Sequence, residues 1–191
     1  MRSVFLAFTL FHLATISAAE NTAQLEEEAR NLAIQMDMQL KTQLKNAMKS
    51  GGTLNAITAC NIKAPQIAEA RSTDGWQVGR TSIRLRNPGN KSDAWERSIL
   101  LAFKQQLVEG APAANLQSSM IESNHEVSRY RFMKAIPVDE ICLACHGDTI
   151  AKDVQAVLAE KYPSDAATGY KPGELRGAFT ISKILENKRA D

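Results

Sequence analysis

Between Asn21 and Ser50 the apolar residues Leu25, Ala29, Leu32, Met36, Leu40, Leu44, Ala47 and Met48 recur mostly three or four positions apart, with Glu26, Glu27, Arg30, Lys41 and Lys45 between them. That period predicts a long amphipathic helix with one apolar stripe. Asn21 and Gln24 fit a capping box at its start, and Gly51-Gly52 ends it with residues that tolerate positive φ. A second helical stretch opens at Thr53, carries Cys60 and is expected to break at Pro65, which lacks an amide donor and constrains the residue before it. Cys60 is thereby expected near a helix end.

After Asp74-Gly75 the pattern changes. "WQVGRTSIRLR" mixes β-branched and polar residues and predicts a strand or extended segment, followed by a turn at "NPGN", Asn87 to Asn90. Asp93 and Glu96 form a capping-box pattern, and Trp95, Ile99, Leu100, Phe103 and Leu107 continue one helical face as far as Gly110. Two strands are predicted at 119–122 and 126–138 around Asn124, the second alternating through Val127, Tyr130, Phe132 and Ala135, and a last strand at 177–184. Helices first, then mixed strands and helices, indicate an α+β domain with an antiparallel sheet and an N-terminal helical layer. No internal repeat or low-complexity tract interrupts it.

The first 19 residues do not fit this domain. Arg2 supplies a positive end, Val4 to Ile16 are largely apolar, and Ser17-Ala18-Ala19 offers small residues for cleavage, which reads as a secretory signal peptide. The apolar run is shorter than the roughly 20 residues that a spanning helix needs. Residues 20–191 then form a single domain, divided into N-terminal helices (20–72) and a core (73–191), with no membrane span after cleavage and a periplasmic destination. The 191-residue chain is 44% hydrophobic and carries a formal charge of +2; losing Arg2 leaves 22 of its 23 basic side chains against 21 acidic ones. Such a near-neutral surface excludes the electrostatic footprint of nucleic-acid binding. Export places three cysteines where disulfides persist, and an odd number leaves one thiol over.

Two of those cysteines lie in "DEICLACHGD", where Cys142, Cys145 and His146 spell C-x-x-C-H, the attachment pattern of c-type haem. Two thiols one short turn apart can each add to a haem vinyl group, and the adjacent histidine is then held at the iron. A redox disulfide between Cys142 and Cys145 lacks the thioredoxin-like βαβ context. A zinc site of Cys60, Cys142, Cys145 and His146 has the right ligand types, but adjacent Cys145 and His146 fit one tetrahedron poorly. For the sixth position of a haem iron the candidates are His125, Met36, Met38, Met48, Met120, Met133, a lysine, water and Cys60.

Four ordered blocks carry a resemblance: "CNIKAPQIAEA" from Cys60, "GWQVGRTSIRLRNPGNKSDAWE" from Gly75, "ICLACHG" from Ile141 and "YPSDAATGYKPGELRGAFTIS" from Tyr162. Together they resemble a bacterial family of single-haem c-type proteins long known only as a domain of unknown function. The resemblance implies a PAS-like antiparallel sheet with flanking helices and an N-terminal helical extension, one covalent haem c, and axial ligation by His146 and Cys60. Relatives occur alone or as sensory modules of larger signalling chains, and no transmitter domain follows the last predicted strand here.

The leading expectation is therefore an exported redox or small-ligand sensor, with CO or NO as ligands and a redox or signalling protein as partner. A thiolate ligand stabilises ferric iron and lowers its potential relative to methionine. A periplasmic electron-transfer cytochrome is the alternative, although no methionine follows Met133 and the strands speak against a helical bundle. A peroxidase-like haem enzyme would need a distal acid/base, for which His125 is the candidate; non-enzymatic function is favoured. Arg80, Arg84, Arg86 and Arg176 are candidate partners of the haem propionates, since guanidinium groups grip carboxylates in a fork. Trp95, Tyr130, Trp76 and Phe132 are candidate pocket walls or core.

Overall fold

The structure is a computed structural model that describes residues 7–124 and 127–185, with side chains in the first helix from residue 21 onward. Helix α1 (Ala7–Arg71) is followed by β1 (Trp76–Thr81), α2 (Ala94–Val108), β2 (Gln117–Ser123), β3 (Ser128–Pro137), the one-turn α3 (Leu143–His146), α4 (Lys152–Lys161) and β4 (Leu175–Leu185). The four strands form one antiparallel sheet in the order β1-β4-β3-β2. This is the expected α+β architecture, with helices flanking an antiparallel sheet and a long N-terminal helix.

Strand alternation divides the sheet into two faces. Trp76, Val78, Tyr130, Phe132, Phe179 and Ile181 pack under Leu25, Ala29, Ala33, Met36 and Ile67 of α1. Met133, Ala135 and Ala178 turn the other way, toward Leu100 and Phe103 of α2. The predicted capping box of α2 is present: Asp93 accepts from the Glu96 amide and Glu96 from the Asp93 amide.

The expectations for α1 hold at the glycine pair and need correction at its start, at Pro65 and at Cys60. The helix does not start at an Asn21 capping box, because its backbone is already helical from Ala7. At Gly51 and Gly52 the dihedrals leave the helical region, Gly52 at φ +67°, dividing α1 into two limbs; Asn55 there donates to the freed Ala47 carbonyl. The second limb does not break at Pro65 but runs on to Arg71. Proline in a helix interior costs about 3 kcal/mol, and burial of Ala64 and Ile67 on either side offsets it. Cys60 accordingly lies within the second limb rather than near its end. Helix α4 was not foreseen; it buries Val154 and Leu158, i and i+4, against Ile57 of α1.

Candidate functional site

The second limb of α1, the loop after β1 and the segment from Ile136 to His146 enclose a cleft. Its empty space, open mouth included, is about 1340 Å³. Leu40, Leu44, Ala56, Ile57, Ile136 and Phe179 give it apolar walls, and Cys60, Cys142, Cys145 and His146 all line it.

The C-x-x-C-H residues occupy two successive tight turns. A 3-10 turn (Glu140–Cys142) leads directly into α3, so Cys142 and Cys145 stand three residues apart on the helical path. Gly147 closes the turn, its amide donating to the Leu143 carbonyl at 2.9 Å. A Cβ on Gly147 would lie 2.7 Å from that same oxygen, so the position requires glycine. The loop from Asp165 to Tyr170 then pins the motif from outside: Gly169 donates to the Gly147 carbonyl and Tyr170 to the His146 carbonyl.

His146 is set in one tautomer by its neighbours. Nδ1 lies 2.6 Å from the Ala167 carbonyl oxygen, which can only accept, so Nδ1 carries the proton. Nε2 therefore presents its lone pair, into which Arg86 Nη1 donates at 3.3 Å. The ring meets solvent through the open cleft, yet protein encloses it closely enough that burial, followed by the charges of Arg176 and Arg86, pushes its pKa down to about 2. The imidazole is neutral across the working pH range, the form that ligates metal. Holding one ring nitrogen on a carbonyl so that the other faces a metal is the usual outer support of such a ligand.

Burial also pushes all three thiols up. At Cys60 the charges of Arg80 and Arg86 pull the other way, and its electrostatic influence on Cys145 places both thiols in one local field. Cys60 is exposed, toward the cleft, while Cys142 and Cys145 are half-buried.

The four candidate arginines are used differently. Arg86 forms an ion pair with Asp165 at 2.9 Å, both side chains about nine-tenths buried, and donates to the Cys145 carbonyl at 2.5 Å and the Ala167 carbonyl at 3.4 Å. It bolts the loop after β1 to the motif. Arg84 lies outside the cleft, stacked 4.0 Å over the Tyr170 ring and donating to the Ala166 carbonyl at 3.4 Å. Arg176 lines the cleft and donates to Ser82 Oγ at 3.0 Å and the Arg84 carbonyl at 3.2 Å. Arg80, on β1, also lines the cleft.

Trp95 and Tyr130 lie elsewhere. Trp95 is on the α2 face, with Arg131 4.4 Å above its ring; Tyr130 is fully buried in the core and meets Trp76 edge-on at 6.1 Å. Phe132 joins the same core. Among the described residues no methionine lines the cleft: Met36 and Met133 are buried in the core and Met38 is exposed on α1. His125 lies outside the described residues. The sequence reading missed Tyr162, a cleft residue bonded to Asn61 one position after Cys60. It also missed Lys41, which at the rim bridges Asp37 and Asp139, each at 3.2 Å. Neither carries a motif signal; for Tyr162 only its place at the start of the last of the four resembling blocks pointed to it.

These residues suit haem better than a bare ion. Among the described residues no group of three His, Cys, Asp or Glu gathers closely enough to hold a metal ion by itself, which leaves zinc short of its four ligands. A haem iron already has four nitrogen ligands and needs only axial donors, and the apolar walls and cationic side chains match its ring and carboxylates.

The family model described as "Tll0287-like: Tll0287" matches residues 18–183. Among solved structures, the chain is similar to the crystal structure of the cyanobacterial heme-protein Tll0287. The TM-score is 0.58 and the identity 27%, over 90% of this chain and 98% of that one. No curated protein matches it.

Proposed function

The chain belongs to the Tll0287-like family, and on that premise we propose that it is an exported haem-binding protein that carries one haem c on Cys142 and Cys145. His146 and Cys60 are its axial ligands, and its role is to sense redox state or a small ligand. The observation that carries this reading is His146 itself. Its proton is held on Nδ1 by Ala167 and its Nε2 lone pair is presented beside two cysteines, in a cleft that Cys60 also lines.

The chain's own residues divide the work. Cys142 and Cys145 tether; Gly147 and the 165–170 loop hold the tether rigid; Arg86 and Asp165 fix that loop. When bound, the haem supplies an iron that changes oxidation state and exchanges axial ligands. Cys60 stands apart from the tether on the second limb of α1, so its ligation can be lost while the haem remains attached. Burial raises the Cys60 thiol pKa, so the side chain is a neutral thiol near neutral pH and would have to give up its proton to serve as a ligand.

Export is supported by the signal-peptide pattern of residues 1–19. Among the described residues no helix is long and apolar enough to cross a membrane. The test is expression with c-type maturation, followed by denaturing electrophoresis and intact mass measurement. Haem should stay with the wild-type chain and be lost from the Cys142→Ser, Cys145→Ser double variant. Haem released from the wild type by denaturation contradicts covalent attachment. For the sensing role, reduced protein given CO should exchange the Cys60 ligand, and an unchanged spectrum favours an electron carrier.

A further inference from the structure

Of the four arginines that were candidates for the haem propionates, three are already committed. Arg86 is held by Asp165 and two backbone carbonyls, Arg84 by the Tyr170 ring and Ala166, and Arg176 by Ser82 and the Arg84 carbonyl. The Arg80 guanidinium has no hydrogen bond or ion pair among the described residues, although it lines the cleft and protein surrounds it closely. Its position follows from strand alternation: Trp76 and Val78, two and four residues earlier, pack beneath α1, and Arg80 continues that face to where the helix gives way to the cleft. A guanidinium has five donors and no acceptor, so an enclosed one without an anion is costly. No carboxylate of the described chain approaches it.

We propose that Arg80 is the carboxylate receptor of the cleft, the side chain that would grip a haem propionate in a forked pair when the group is bound. This rests on the haem reading. It assigns to Arg80 the binding of the porphyrin acid and leaves to Arg86 the positioning of the motif. The competing anion is a Cys60 thiolate, since Arg80 and Cys60 influence each other electrostatically.

The test uses the full chain expressed without haem attachment, titrated with ferric protohaem and with its dimethyl ester, which has the same ring but no free carboxylates. A charged hydrogen-bonded pair contributes enough for about a tenfold preference or more. Wild type should favour the acid by that factor. Arg80→Gln should lose the preference while binding the ester as wild type does, and Arg80→Lys should retain part of it. An undiminished preference in Arg80→Gln overturns the assignment. So does a variant that keeps the preference but shows the ferric spectrum of Cys60→Ala, which would make the thiolate the partner. Binding of neither porphyrin by wild type overturns the haem reading itself, a different result from either.

Discussion

The two faces of the sheet each carry a polar cluster, and the clusters are built to opposite ends. On the α2 face, Glu96 accepts from Thr81 at 3.1 Å, from Thr180 at 2.6 Å and from the Asp93 amide at 3.0 Å. Arg131 pairs with Asp93 at 2.5 Å, reaches Glu96 at 3.8 Å and Glu122 at 3.7 Å, and lies over Trp95. Each charge there has a protein partner, which is how a buried polar network stabilises and rigidifies a fold. On the α1 face, the cleft keeps three free thiols, a guanidinium without a partner and an imidazole whose Nε2 lone pair meets only Arg86 Nη1, at 3.3 Å. A fold that saturates one cluster and leaves the other open marks the open one as a place for something that is not protein.

The comparison is broken most severely at Glu96. Replacing it with alanine removes the carboxylate that Thr81 and Thr180 donate to and one of the three that surround Arg131, and losing one member of such a buried network costs about 3 kcal/mol. Denaturant unfolding should show that loss, while the haem spectrum of the folded variant stays that of wild type. A smaller effect is expected at Asp93, whose half-exposed carboxylate limits its ion pair to roughly 0.5 kcal/mol.

Burial works to raise the pKa of Asp93, but the Glu96 and Trp95 amides and Arg131 outweigh it and hold the value below its ordinary 3.8. Its folded pKa being depressed, the stabilisation is complete above 3.8 and is lost as pH falls through the folded value. Asp93→Asn keeps the helix cap and removes the charge. Unfolding free energies of the two proteins should therefore differ by a constant amount near neutrality and converge in acid. The smallest change belongs to the cleft: Cys60→Ala should leave the stability of the haem-free chain within about 0.5 kcal/mol of wild type, because an exposed side chain away from the core contributes little.

What the sequence made legible follows the same division. Wherever local chemistry was self-sufficient, it could be read: the Asp93–Glu96 capping box, the alternation of Tyr130 and Phe132 on β3, the glycine pair that bends α1, and the C-x-x-C-H motif. Where tertiary burial outvotes local preference, it could not. Pro65 stays helical because Ala64 and Ile67 are held against the rest of the fold, and α4 forms without a side-chain N-cap because Val154 and Leu158 find Ile57.

The arginines show the limit most plainly. Four looked equivalent in sequence, and only the contacts distinguish the structural Arg84 and Arg86 from Arg80. Trp95 and Tyr130 likewise have the residue types of pocket walls, but strand parity sends Trp95's partner Arg131 to the far face and packs Tyr130 against Trp76.

The central claim is that Cys60, an isolated thiol on a helix far from the motif in sequence, completes the site that His146 begins. The most direct measurement is the electron paramagnetic resonance and absorption spectrum of the ferric, haem-loaded protein beside its Cys60→Ala variant. Thiolate-ligated, low-spin iron in the wild type, replaced in the variant by a high-spin or differently ligated form, is the predicted result. A variant whose low-spin ferric spectrum matches that of wild type would contradict it.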